Sequence, residues 1–143
     1  MDPLNAMISF GNIFLYNRIA TEIHKARLDI NLSVLHKPEE GRTSLALDLS
    51  EIFKPLIVDR AIFSLINRKE IDADAHFDRR EDRAVLLNRE GKKLFIAELN
   101  KRLSTCINYN NRKRTWMAVI QDEIYRFKKA ALNDEPYKAY RHR

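Results

Sequence analysis

The sequence predicts a mainly α-helical fold, and three observations carry that expectation. Only three glycines and four prolines punctuate the 143 residues, so turns are few and segments long. Apolar residues recur every three or four positions along those segments, the period of a helix with one buried face. Hydrophobic residues make up 45% of the chain and charged residues 32%, which is enough apolar material for one core without disulfide or metal staples. The expected architecture is a single multi-helix globular domain over residues 1–143 with at most a small β-hairpin.

Each element follows from local chemistry. Asp2 can cap a helix that has Pro3 in its first turn. Leu4, Met7, Ile8, Gly11, Phe14, Leu15, Ile19 and Ile23 then mark one long, largely buried helix over residues 3–26. The stretch "RLDINLSVLHKPEEGRTS" is a break, kept irregular by Pro38 and Gly41, with room for one short turn before His36. Ser44 can cap a second helix running to about Lys54, where Pro55 removes a backbone donor and should kink or break it. Helix resumes to about Lys69. In the polar stretch that follows, Ala75–Phe77 and Ala84–Leu87 suggest a small hairpin or an extended excursion. Asn88 caps a helix over about 89–109, with Leu94, Phe95, Ala97, Leu99, Leu103 and Ile107 inward. "NYNNRKR" is a basic loop, and "TWMAVIQDEIYRFKKAALN" is the last long helix, with Trp116, Val119, Ile120, Ile124 and Phe127 inward. The tail "DEPYKAYRHR" is poorly ordered or docked by its tyrosines.

Charge and cysteine usage bound the function. A formal charge of +6 favours a polyanionic partner, nucleic acid or a membrane surface, and is equally compatible with a basic protein that has neither. A single cysteine, Cys106, excludes an internal disulfide and suits a reducing cytoplasm. Cys106 continues an apolar helical pattern and reads as a small buried residue. No stretch has the make-up of a signal peptide or of a membrane span. The abrupt structured start predicts that Met1 opens a piece of a longer protein.

Three groups of residues could carry chemistry. Asp48 and Glu51 stand three apart on the second helix, hence on one face, beside the apolar stripe Leu45, Leu49, Ile52 and Leu56. At a core boundary such charges are costly unless they are paired or bind a metal. His36 ends a segment that could fold back over this helix, and an imidazole with two carboxylates would suit Mg2+ or Mn2+. The alternative is structural: Asp48 bridged to an arginine and Glu51 paired with Lys54. Lys54, one turn beyond Glu51, could reach a phosphate or be a solvated lysine. Asp59 and Arg60 more naturally satisfy each other or neighbouring groups. The third group is Arg112, Lys113 and Arg114, which with Lys128, Lys129 and the tail "YRHR" could contact a phosphate backbone or simply form a solvated face. Tyr109, Tyr125, Tyr137 and Tyr140 are spaced too widely along the chain to predict a stacking platform, and His24 and His76 have no obvious partners.

The order "DPLNAMISFGNIFLYN", "LHKPEEGRTSLALDLSEIFKPLIVDR" and "EPYKAY" resembles the CRISPR-associated integrase-nuclease family usually called Cas-one, over essentially the whole chain but only for that family's helical C-terminal domain. The resemblance implies a metal-dependent DNA endonuclease and integrase that inserts captured foreign DNA into the CRISPR array. It also implies a small partner protein called Cas-two, double-stranded DNA held largely by its backbone, a homodimer in the full-length protein, and a cytoplasmic location. Matched position by position, His36 and Glu51 are metal ligands and Asp48 is the second acid of the same helix. Lys54 stands close to the DNA, and Asn5 supports the site. The family's remaining ligand, a glutamate, precedes the "DP-NA" segment and is absent from these residues, as is an N-terminal β-domain. The resemblance therefore implies a C-terminal fragment that lacks one ligand. A helical DNA-binding module without activity and a purely structural fragment stay open as alternatives.

Overall fold

A computed structural model describes residues 2–27, 45–133 and 139–141. The expectations placed on His36, Pro38, Gly41, Ser44 and Tyr137 lie outside the described residues.

Helix α1 spans Pro3–Lys25. Asp2 Oδ1 accepts from the Asn5 N–H at 2.8 Å, satisfying one of the first-turn donors that no helical carbonyl can reach. His24 and Lys25 stand at the negative end of the helix. Its buried face is Ala6, Met7, Gly11, Leu15, Ile19 and Ile23, the spacing expected from the sequence. This face packs against α2 (Leu45–Lys54) and α5 (Trp116–Leu132).

The α-helix gives way at Pro55 as expected, but the helical run does not end there. Residues Pro55–Asp59 form a π-helical turn that leads straight into α3 (Arg60–Asn67). Proline lacks an N–H and its ring crowds the carbonyl four residues back; one wider turn removes both conflicts without interrupting the coil. The turn also places Ile57 and Val58 side by side in the core. Across the core, Arg102 Nε donates to the Leu56 carbonyl at 2.9 Å. Burial, and then the nearby Arg60, lower the proton affinity of Arg102.

The predicted hairpin is present: β1 (Phe77–Arg79) pairs antiparallel with β2 (Val85–Leu87), with Phe77 opposite Leu87. Phe77, Val85 and Leu87 point into the core. Asn88 then caps α4 (Arg89–Leu103), its Oδ1 accepting from the Gly91 N–H at 2.8 Å.

One boundary differs from expectation. Helix α4 stops at Leu103, and residues predicted as its last turn form β3 (Cys106–Tyr109). Strand β3 pairs antiparallel with β4 (Arg112–Thr115) through a two-residue turn in which Asn110 and Asn111 have φ of 50° and 64°. Asparagine tolerates this left-handed region better than most residues, and a double-positive turn matches the twist of a tight hairpin. Ile107 falls four residues after Leu103, so the helical period runs on past the true end. Cys106, expected to be buried, is exposed on β3. The domain stays mainly α, with a second small hairpin added. Thr115 caps α5, its Oγ1 accepting from the Ala118 N–H at 3.1 Å. Trp116, Val119, Ile120, Ile124 and Phe127 face inward as expected. Among the described residues no helix is long and apolar enough to cross a membrane.

Candidate functional site

Helix α2 carries its charges across the edge of the core. Asp48 is 0% exposed, among Leu45, Ala46, Leu49 and Phe53, while Glu51, one turn on, is at the surface. The core boundary therefore runs between the two carboxylates rather than along both. A carboxylate inside a protein loses its hydration and must regain it from partners; Asp48 is not left without one. Lys54, the last residue of α2, is half-buried. Ser50 Oγ donates to the Ala46 carbonyl at 2.6 Å and so belongs to the helix's own hydrogen bonding. Asn5 lies in the first turn of α1, the helix packed on α2, and its backbone N–H is the one that Asp2 caps.

Asp48, Glu51 and Lys54 thus stand at one-turn steps on one helix, the first inside and the second outside. Of the metal set predicted from sequence it describes the two acids, since His36 lies outside the described residues. Among the described residues no three His, Cys, Asp or Glu side chains converge. The donor chemistry fits a hard divalent ion: two carboxylates on a rigid helix are the oxygen ligands that Mg2+ and Mn2+ prefer.

The second predicted surface is the β3–β4 hairpin. Arg112 and Lys113 are exposed. Arg114 is half-buried, and its Nη2 lies 2.8 Å from both carboxylate oxygens of Asp122 on α5. Its charge is shared with an acid, and the pair ties the hairpin to α5. On the outer face Asn108, Asn111 and Lys113 line an open recess of about 450 Å³ with Cys106 and Ile107.

Sequence reasoning missed an aromatic cluster. Tyr109 and Tyr140 stack, with ring centroids 6.0 Å apart and planes at 28°. Tyr140 also meets Phe53 of α2 at 5.4 Å and Trp116 of α5 at 6.2 Å. Two of the tyrosines judged too far apart in sequence, Tyr109 and Tyr140, are joined by the fold, while Tyr125 stands exposed. Glu123, wholly buried in α5, holds this end: Oε1 accepts from the Tyr140 N–H and Oε2 from Arg126 Nη1, each at 2.9 Å. Burial, followed by the neighbouring Tyr109 and Glu123, raises the Tyr140 phenol above its usual range, so it stays neutral near physiological pH. A second correction concerns His76. It has a partner, because its Nδ1 accepts from the Asp72 N–H at 2.8 Å. Asp72 Oδ1 in turn accepts from the N–H groups of Ala75 and Asp74, which lowers its pKa.

Residues 1–101 match the family described as CRISPR associated protein Cas1. The chain belongs to this family. It is 45% identical over 139 residues to the CRISPR-associated endonuclease Cas1 of Clostridium perfringens, an alignment covering 96% of this chain and 42% of that relative. With the CRISPR-associated endonuclease Cas1 of Methanothermobacter thermautotrophicus the identity is 49% over 105 residues, 73% of this chain and 31% of the relative. Among solved structures, a Cas1 protein from Thermotoga maritima superposes with a TM-score of 0.78 at 34% identity, covering 93% of this chain and 42% of that one. A casposase bound to an integration product shares the fold, with a TM-score of 0.81 at 24% identity. The chain thus spans about two fifths of the length of the Clostridium and Thermotoga relatives, 42% in each case.

Within this Cas1 chain the family match ends at Lys101, inside α4. Asn5, His36, Asp48, Glu51 and Lys54 fall inside it. The β3–β4 hairpin, α5 and Tyr140 lie beyond it.

Proposed function

We propose that these residues form the helical part of a metal-dependent DNA endonuclease and integrase that inserts captured DNA into a CRISPR array. Membership of the Cas1 family supports the reading, as does 45% identity to a relative named an endonuclease. The observation that carries it is Asp48. A wholly buried carboxylate held in place in an otherwise apolar stretch of helix, with Glu51 and Lys54 following at one-turn intervals, puts two acids and a cation on one rigid element, the groups from which a metal-assisted phosphoryl-transfer site is built.

Asp48 and Glu51, with His36, would hold a Mg2+ or Mn2+ ion. Bound there, the ion would supply Lewis-acid stabilisation of charge on a phosphodiester oxygen. Asp48 is fixed by the packing around it, so its carboxylate needs little reorganisation on binding. Glu51 faces solvent, on the side from which DNA arrives. Lys54 would place a positive charge near the phosphate, and Asn5 would support the site from α1. Arg112 and Lys113 would hold the DNA backbone without reading its sequence. Arg114 would act there mainly by bracing the hairpin through Asp122. A Cas-two partner, homodimerisation and a cytoplasmic setting belong to the same proposal.

The test is cleavage and strand joining of labelled double-stranded DNA in the full-length context, with the Cas-two partner, in Mg2+ or Mn2+. His36→Ala, Asp48→Asn and Glu51→Ala should each lower the rate by about a hundredfold or more, roughly 3 kcal/mol of transition-state stabilisation, with circular dichroism unchanged. Chelation should abolish the activity. Parental rates in all three variants would place the chemistry elsewhere.

A further inference from the structure

Tyr140 touches every other member of the aromatic cluster. It meets Phe53, Trp116 and Tyr109, and these come from three elements: α2, the start of α5 and β3. Phe53 and Trp116 also meet each other edge-on at 6.4 Å. Tyr109 differs from them: among the described ring contacts it reaches the cluster through Tyr140. Phe53 sits between Glu51 and Lys54 on α2, buried where Glu51 is exposed and Lys54 half-buried. Tyr109 sits opposite Arg112 in the hairpin register. One ring therefore lies between the helix that bears Asp48 and Glu51 and the strand pair that bears Arg112 and Lys113.

The backbone at this point is fixed as well. Glu123 is wholly buried; its Oε2 accepts from Arg126 and its Oε1 from the Tyr140 N–H. A buried carboxylate that loses a donor is left partly desolvated, so Glu123 favours the docked tail independently of the rings. Two unrelated contacts, stacking and a charge-assisted hydrogen bond, hold the same residue in place.

Building on the nuclease-integrase reading of α2, we propose that Tyr140 is a positioning residue that sets the β3–β4 hairpin relative to Asp48, Glu51 and Lys54. The hairpin supplies charge to grip the DNA, and α2 supplies the acids that act on it. Alignment of the two decides where the scissile phosphate falls. Displacement of a bound substrate by about 1 Å can lower a rate a hundredfold while leaving binding contacts in place. Loss of Tyr140 should thus lower kcat more than it weakens DNA binding.

The experiment compares the parent with Tyr140→Ala and Tyr140→Phe, with kinetics read in the full-length context and fluorescence on this chain. Trp116 is the only tryptophan and is 1% exposed, so its fluorescence reports docking without reference to activity. Tyr140→Ala should red-shift the emission and raise acrylamide quenching severalfold. It should lower kcat by about tenfold or more, with the DNA dissociation constant within about twofold of the parent. Tyr140→Phe keeps the ring and the backbone bond to Glu123 and should restore both signals. An exposed Trp116 with parental kcat would overturn the positioning role, and an unchanged Trp116 signal would overturn the docking. Weaker DNA binding at unchanged kcat would make Tyr140 a DNA contact instead. If the parent lacks metal-dependent activity in the full-length context, the nuclease reading fails and positioning fails with it, while a protected Trp116 still confirms the docking of Tyr140.

Discussion

Gly11 stands mid-way along α1, where alanine would ordinarily favour the helix by about 1 kcal/mol. Here a Cβ would come 2.5 Å from Val58 Cγ1 and 3.2 Å from Phe95 Cζ. Both neighbours are wholly buried, so neither has open space to move into. Overfilling a packed core costs about 1–3 kcal/mol, which outweighs the gain in propensity. Gly11→Ala should lower stability by about 1–2 kcal/mol in urea denaturation; a stabilised variant would mean that α1 and the π-helical turn pack less closely than described. The sequence placed Gly11 on the buried face. Why it must be glycine depends on Val58, which the widened turn after Pro55 brings to this spot. Asp48 and Glu51 teach the same lesson. Their spacing put them on one face, but only the packing of α2 decided that one is inside and the other outside.

At the scale of elements, helix starts were the most legible feature, because caps act within three residues. Asp2 and Asn88 cap α1 and α4 as read. Asn88 does more than cap. Its Nδ2 donates to the Ala75 carbonyl at 2.8 Å and its N–H to the His76 carbonyl at 3.0 Å, so it clamps the turn before β1 onto the start of α4. Gly91 completes the fit, since a Cβ there would strike the same His76 carbonyl. Asn88→Ala removes a cap and a clamp at once and should cost about 2 kcal/mol. Amide hydrogen exchange should rise first in residues 72–79 and the first turn of α4. Uniform exchange across the domain would count against the clamp. Helix ends were harder to read. The period of α4 runs through Ile107, and only the paired Asn110 and Asn111, able to adopt positive φ, signalled that the chain reverses there.

For the whole molecule, net charge suggested a polyanionic partner without locating it. Exposed cations are spread over the surface; on the β3–β4 hairpin Arg112 and Lys113 lie in the open, while Arg114 is paired with Asp122. If this is the DNA-gripping surface, the double variant Arg112→Ala, Lys113→Ala should weaken DNA binding and flatten its dependence on salt. Each lost phosphate contact removes about 0.9 from the slope of log K against log salt concentration, so the change should be near 1.8. A slope equal to the parent's would place the DNA on another face.

The sequence by itself determined what short-range physics controls. Helical period, caps and turn chemistry act over a few residues, and they specified a mainly α domain, most helix boundaries, the inward face of α5 and the helix on which Asp48, Glu51 and Lys54 stand. The tertiary structure decided what depends on residues far apart meeting. It put Asp48 inside and Glu51 outside, turned Pro55 into a π-helical turn, gave Arg114 to Asp122, and stacked Tyr109 on Tyr140 beside Phe53. Which of two neighbouring acids is buried, and which rings stack, depends on surfaces that come together only on folding, so no local pattern along the chain encodes it.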